Sequence, residues 1–401
     1  MKNIKIIFAL VLAACFIPGM ALAELKLQDH IGSLKLKGDL RVRYERHDRD
    51  EDANKDPGAE ETNNPRDRLR TRFRLGACWK APSEKWEVGA GFATGGSSST
   101  STNDTWSDPA KKTDEMSDEN VFRTGDFRLD YAYGKHNIDL TDDIKFNIII
   151  GQQKNPFKSS WLLWDSDIRP AGFTGQADLG VAFVTFGGYD VYQNGNDIAM
   201  MYALQGGTKI KTGNIKICGA LSLYTFSGLD RYGDNDGGNY VCKLPNKDYD
   251  YQIFDFYGKI DISLDKKVKI SPYIQVFSNI GAGGKVKGDG QLGGDLLKGD
   301  EETMGYVFGA KAKVYNASFK LSYAEVGADS CIPYLKNQDW GSKINEGVNV
   351  KGAVVAAGYN FFKHFSTELT AYLYEPAEKI DSTKKYEQNM SMYHIDMKYK
   401  F

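Results

Sequence analysis

From Leu34 to Glu45 the chain alternates strictly. Leu34, Leu36, Leu40, Val42 and Tyr44, with Gly38 among them, fall on one parity, and Lys35, Lys37, Asp39, Arg41, Arg43 and Glu45 on the other. RDRLRTRFRLGACWK at 66–80 repeats the pattern with more force. Arg66, Arg68, Arg70, Arg72 and Arg74 take every second place, with Leu69, Thr71, Phe73 and Leu75 between them. A helix would scatter those arginines round its circumference, whereas a strand sets them all on one face. The same period returns at 86–93, 127–134, 215–225, 304–314, 353–361, 365–373 and 393–401. Read to its end, the chain predicts strands near 34–46, 66–80, 85–94, 122–136, 143–152, 169–177, 181–191, 197–211, 214–226, 250–263, 267–279, 303–315, 317–327, 350–362, 365–375 and 388–401. That is about 16, an even number as membrane barrels require. The weakest segment is 169–177, which contains Pro170 and Gly172; without it and 181–191 the count is about 14.

The connectors sort by length. APSE (81–84), TGN (212–214), LDKK (264–267), YNA (315–317) and FKH (362–364) are short, while 47–65, 95–121, 227–249, 280–302, 328–349 and 376–387 are long and polar. Short turns at one end and long loops at the other, on strands of about ten residues, predict an all-β transmembrane antiparallel barrel. A cation on the lipid face costs roughly 2–4 kcal/mol at the midplane, so the arginine face must look into a wet interior. Hydrocarbon cannot satisfy an open strand edge, which demands closure. Trp79, Trp86, Tyr131 and Tyr133 lie near strand ends, where aromatic girdles sit.

Composition agrees with this picture. There are 42 Gly, 21 Phe and 23 Tyr but only 11 Pro among 401 residues, a β-rich balance. The formal net charge of −2 does not point to nucleic acid, so the distribution of charge matters more than its sum. Residues 1–23 read as a cleaved signal peptide: Lys2 and Lys5, an apolar run from Ile6 to Ile17, then Ala21-Leu22-Ala23 before Glu24. The expected domain is then 24–401. Four cysteines follow, Cys78, Cys218, Cys242 and Cys331, without the close pairing of a zinc site. Cys78 and Cys218 have lumen parity and are expected to be free. Cys242 and Cys331 fall in long loops and are expected to pair in an oxidising compartment.

The chain ends MYHIDMKYKF, an alternating strand closing on Phe401, which resembles the targeting end of Gram-negative outer-membrane proteins. GDLRVRYE (38–45), RDRLRTRFRLGA (66–77), GQQKNPF (151–157) and WDSDIRPAGFTGQ (164–176) are similar to the putative outer-membrane porin family. The likeness implies a sixteen-strand barrel, trimeric in many members, that conducts small hydrophilic solutes, with its third long loop folded into the lumen. It also implies outer-membrane lipid, lipopolysaccharide and a homotrimer as partners. It brings no nucleic acid and no cofactor or metal. Cysteines in the mature chain depart from the family pattern.

Two sets of residues are candidates for function. Arg41, Arg43, Arg68, Arg70, Arg72 and Arg74 are expected to line the pore and favour anions; the alternative is a solvated wall neutralised by Asp39, Glu45 and neighbouring acids. The segment after Gly151 carries Lys154, Lys158, Asp165, Asp167 and Arg169 beside Trp161 and Trp164, and is expected to fold inward as a constriction. Asp165 and Asp167 would set a transverse field if they faced the arginines. The acidic stretches 47–61 and 230–239 do not match a calcium loop. His30, His47, His136, His364 and His394 are dispersed, and no nucleophile elbow is present, which leaves an enzyme poorly supported. A channel specific for phosphate or an oligosaccharide, and an adhesin, stay open as alternatives.

Overall fold

The computed structural model describes residues 25–26, 33–49, 66–96, 98–106, 125–194, 197–229, 251–282, 302–341, 347–377 and 390–401. The signal-peptide region, Cys242 and most of the acidic loops lie outside these. Sixteen long strands form one antiparallel sheet: β1 (Ser33–Arg49), β2 (Arg66–Lys80), β3 (Trp86–Thr94), β4 (Phe127–Asp139), β5 (Lys145–Gln152), β6 (Ala171–Leu179), β7 (Ala182–Asn194), β8 (Asp197–Thr212), β9 (Ile215–Ser227), β10 (Gln252–Ser263), β11 (Val268–Asn279), β12 (Met304–Val314), β13 (Ala317–Val326), β14 (Val350–Asn360), β15 (Phe365–Pro376) and β16 (Met390–Lys400). Each pairs with its neighbour in sequence, and β16 pairs with β1, so the ring closes and no long edge is left open. The segment least secure in sequence is a true strand. β6 pairs with β5 and β7 along its whole length, and Pro170 stands just before it.

The two faces are inside out relative to a soluble protein. Leu40, Leu69, Val88, Phe92, Leu221, Phe256, Phe308, Leu321 and Leu369 are exposed on the outer surface. Arg41, Arg43, Glu45, Gln205, Asp255, Gln275, Thr370, His394 and Asp396 are buried within. That is the arrangement a lipid exterior and a wet interior select.

Two strand pairs depart from simple alternation, β7–β8 between Ala199 and Met200 and β3–β4 at Gly91. The β3–β4 register shifts between Gly91 and Phe92, so Phe92 pairs with Leu129 while Gly91 pairs with Tyr131. A bulge of this kind adds one residue and reverses the facing of everything beyond it. Phe127 and Leu129 are exposed outside, but Tyr131 and Tyr133 lie on the inner wall and not in a girdle. The Tyr133 hydroxyl donates to Glu87 at 2.7 Å. The rings lie flat over glycines: a Cβ on Gly91 would stand 2.3 Å from the Tyr131 ring. Trp86 does face outward, stacked on His136 at 4.0 Å.

The apolar core sits inside the barrel, on the long-loop half of the wall. Residues 153–170, 327–341 and 347–349 fold inward and bury Leu162, Leu163, Trp164, Ile332, Trp340 and Val348 against Tyr224, Phe277 and Val354. Cys331 belongs to this packing and is a free, fully buried thiol, as Cys78 and Cys218 are free on the inner face. Its expected partner Cys242 lies outside the described residues, and the loop carrying Cys331 turns into the lumen instead of lying outside.

Candidate functional site

The chain leaves the wall at the end of β5. Gly151 has φ +117°, and a Cβ there would meet the Ala132 carbonyl at 2.4 Å, so GQQKNPF needs glycine at this point. Residues 153–170 then run along the inner wall. The Lys158 amide donates to Gln205 Oε1 at 2.7 Å, and Gln205 Nε2 returns a bond to Lys158 O at 2.8 Å. Ser160 N donates to Gln275 at 3.2 Å, and Trp161 Nε1 to the Tyr273 hydroxyl at 2.9 Å. Phe157 packs edge-on against Tyr189 and Tyr224. The path then crosses to the other side of the ring. Thr102 donates to Asp167 through its amide at 3.1 Å and its hydroxyl at 2.9 Å, and Arg169 pairs with Asp130 at 3.0 Å. One short segment thus touches β8, β11, β2 and β4 and runs across the interior of the ring.

Its charged residues take different places. Asp167 Oδ1 lies 3.6 Å from Arg74, facing the arginine stripe. Asp165 does not: its carboxylate accepts the Asp167 and Gln338 amides at 2.8 and 3.0 Å, and burial pushes it up to about 7. It ties the segment to residues 335–338 and makes no arginine contact among the described residues. Lys154 stands 5.9 Å over the Tyr131 ring.

The six arginines form one array on β1 and β2, as the register requires, with Arg41 opposite Arg72 and Arg43 opposite Arg70. Their partners come from four parts of the chain. Arg72 and Arg74 hold Asp39 at 2.7 and 2.8 Å. Arg68 and Arg70 both reach Glu45, the second at 3.2 Å. Arg43 grips Asp396 at 2.7 Å and reaches Asp339 at 3.4 Å, while Arg41 lies 3.7 Å from Asp396 and donates to Asn103. Five carboxylates, those of Asp39, Glu45, Asp167, Asp339 and Asp396, therefore serve six guanidiniums. Arg41 and Arg43 are buried beneath the loops. Arg74, with a side chain 29 % exposed, is the most open.

Sequence reasoning passed over a second cationic region. Two cavities of about 470 and 370 Å³ adjoin at Lys259 on the inner wall between β8 and β15. Lys269, Lys311, Lys313 and Lys320 line the first, and Lys158, Lys209, Lys211 and Lys216 the second. Residues 153–170 border both, since Lys158 lines one and the Trp161 ring lies 4.4 Å from Lys320 in the other. Asp261 holds Lys259 and Lys269 at 3.0 and 3.2 Å, and Asp178 holds Lys209 at 2.8 Å. Lys158, Lys211, Lys216, Lys311, Lys313 and Lys320 make no ion pair among the described residues. The signal was present in KIKTGNIK (209–216) and KAK (311–313), where lysines alternate on the inner parity.

A closed sixteen-strand barrel with an apolar exterior, a charged interior and an inward-folded loop defines an outer-membrane channel. In sequence, residues 46–259 match the model of the putative porin family, and the chain belongs to that family. No curated protein matches the chain. Among solved structures it is similar to OprB of Pseudomonas putida, at 11 % identity and a TM-score of 0.55, over 92 % of this chain and 94 % of that one. The outer membrane channel DcaP of Acinetobacter baumannii aligns at 14 % identity and a TM-score of 0.49, over 95 % of this chain and 100 % of that one. At such identities the likeness to OprB speaks to the fold alone.

Proposed function

We infer that the protein is a passive channel for small hydrophilic solutes and ions in the Gram-negative outer membrane, with a preference for anions. The observation that carries the preference is the excess of unpaired lysines on the inner wall, beneath the constriction. The arginine stripe contributes less than its number suggests, because a guanidinium within 4 Å of a carboxylate acts on a passing ion mainly as a dipole. A homotrimer bordered by lipopolysaccharide belongs to the same reading and rests on the family likeness. No covalent step or cofactor is needed, only diffusion through water biased by a fixed field.

Purified protein in a planar bilayer under a salt gradient tests this. The reversal potential is expected to lean toward anions at about 0.1 M salt and to fade near 1 M, where screening shortens to about 3 Å. Neutralising Lys311 and Lys320 is expected to move it further toward cations than neutralising Arg70 and Arg72. A cation-selective wild type would overturn the preference, and an absence of conductance would overturn the channel.

A further inference from the structure

Beneath the constriction, the wall holds an arrangement that passive diffusion does not require. Lys311 stands directly opposite Lys320 in the ladder, and Lys269 directly opposite Lys313. Residues so placed have Cβ atoms about 4.5–5.5 Å apart, and like charges there destabilise the sheet. Two such pairs meet on three adjacent strands, β11, β12 and β13. Lys269 is offset by Asp261 at 3.2 Å, a carboxylate that Lys259 shares at 3.0 Å. Lys311, Lys313 and Lys320 have no carboxylate at ion-pair distance among the described residues; Glu368 lines the same cavity and acts on Lys311 and Lys320 from farther off, but is held by Lys398 at 2.9 Å. Neutral side chains would serve the ladder better, so stability does not account for the cluster.

The geometry suits an occupant. The lysines line the cavity of about 470 Å³, whose wall also includes Ser318 and Thr370, while the Ser271 hydroxyl donates to Asp261 at 2.6 Å. Lys311 and Lys313 are one same-face step apart, about 6.6–6.8 Å, and the three strands extend about 10 Å across the wall. The Trp161 ring, held by Tyr273, closes the side toward the long loops, 4.4 Å from Lys320. The lysines flank the short turns 264–267 and 315–316, the end of the barrel that faces the periplasm in outer-membrane barrels.

We propose that this basin binds small polyvalent anions, solutes that carry two or more phosphate or carboxylate charges several ångströms apart. A monovalent ion meets one lysine pair at a time. A polyvalent one bridges both and relieves two repulsions in a single event. The proposal rests on the channel reading and deepens it from a general preference to a solute class.

Single-channel recording tests it, with inorganic pyrophosphate as the probe and acetate at equal charge concentration as the control. Pyrophosphate is expected to block the chloride current at a concentration about tenfold or more below that of acetate. Block is expected to be stronger from the short-turn side. The Lys311→Gln/Lys320→Gln variant is expected to lose this advantage while it still conducts. That variant removes a like-charge pair and is expected to fold, which a heat-shifted gel band verifies. As a second readout, pyrophosphate is expected to raise the melting temperature of the wild type in detergent but not that of the variant. Malonate run in parallel shows whether dicarboxylates share the site. Equal block by pyrophosphate and acetate, or block unchanged in the variant, overturns the site and leaves the channel standing. An absence of conductance overturns the channel, and the melting shift then decides the site alone.

Discussion

Arg43 and Asp396 face each other across the seam where the last strand closes on the first. Arg43 Nε donates to one carboxylate oxygen at 2.7 Å and Nη2 to the other at 3.1 Å, the planar fork that suits a carboxylate best. Their side chains are only 4 % and 3 % exposed. Removing one member of a buried pair leaves the other charge uncompensated, at a cost of about 3–5 kcal/mol. Asp396→Asn is expected to lower the temperature at which the folded gel band converts to the unfolded one, and Arg43→Lys to lower it less. Unchanged conversion in Asp396→Asn would mean that the seam is held by its backbone ladder alone.

Facing can be tested at adjacent positions. Leu69 and Leu321 are exposed on the outer surface, while Arg70 and Lys320 point inward beside them. Leu69→Arg or Leu321→Arg is expected to weaken insertion into lipid vesicles by roughly 2–4 kcal/mol at midplane depth. Lys320→Gln is expected to insert normally. Equal insertion by all three would contradict the assignment of faces.

The clasp at Asp165 should respond to pH. Its amide donates to Leu335 O at 2.8 Å, and its carboxylate receives the Gln338 amide. Burial pushes the carboxyl up to about 7, further than its amide donors pull it down. An acid with a raised pKa holds more protons docked than undocked between about 4 and 7, so docking weakens as pH rises through that window. Lys336, pushed down to about 8 by burial, stays charged across it. Protease cleavage within 335–341 is expected to increase from about pH 5 to about pH 7.5, and Asp165→Asn to flatten the increase. A profile that stays steep in Asp165→Asn would assign the titration to another group.

Thiol chemistry reports the field inside. Cys218 shares its cavity with Lys209, Lys211 and Lys216, whereas Cys331 is sealed in the loop packing. A negatively charged methanethiosulfonate reagent is expected to modify Cys218 several-fold faster than a positively charged one at low salt. Cys331 is expected to react only after unfolding. Mass spectrometry of peptides counts both. Equal rates at Cys218 would mean that the lysines are screened by something else.

Alternation alone determined much of this protein. A period of two over some ten residues leaves one fold that can put arginine and leucine on opposite faces of every strand. The length of the connectors then tells one end of the barrel from the other. Even 169–177, doubtful for its proline, takes its place, paired along its length with the strands on either side. GQQKNPF marked where the chain turns inward.

Tertiary structure decided the rest, because it depends on which residues meet. Tyr131 and Tyr133 share the parity of Phe127 and Leu129 in sequence, yet one bulge turns them to the other face. Arg43 finds its carboxylate 353 residues away, through a seam that exists only once the barrel closes. The sequence left open whether Asp39 and Glu45 would quiet the arginines, and no local pattern shows that Asp396 would join them while Lys311, Lys313 and Lys320 stayed without an ion pair among the described residues. Between bulges parity fixes which way a side chain points, but the field inside the pore depends on register and on loops that fold back, and those are settled by contacts far apart along the chain.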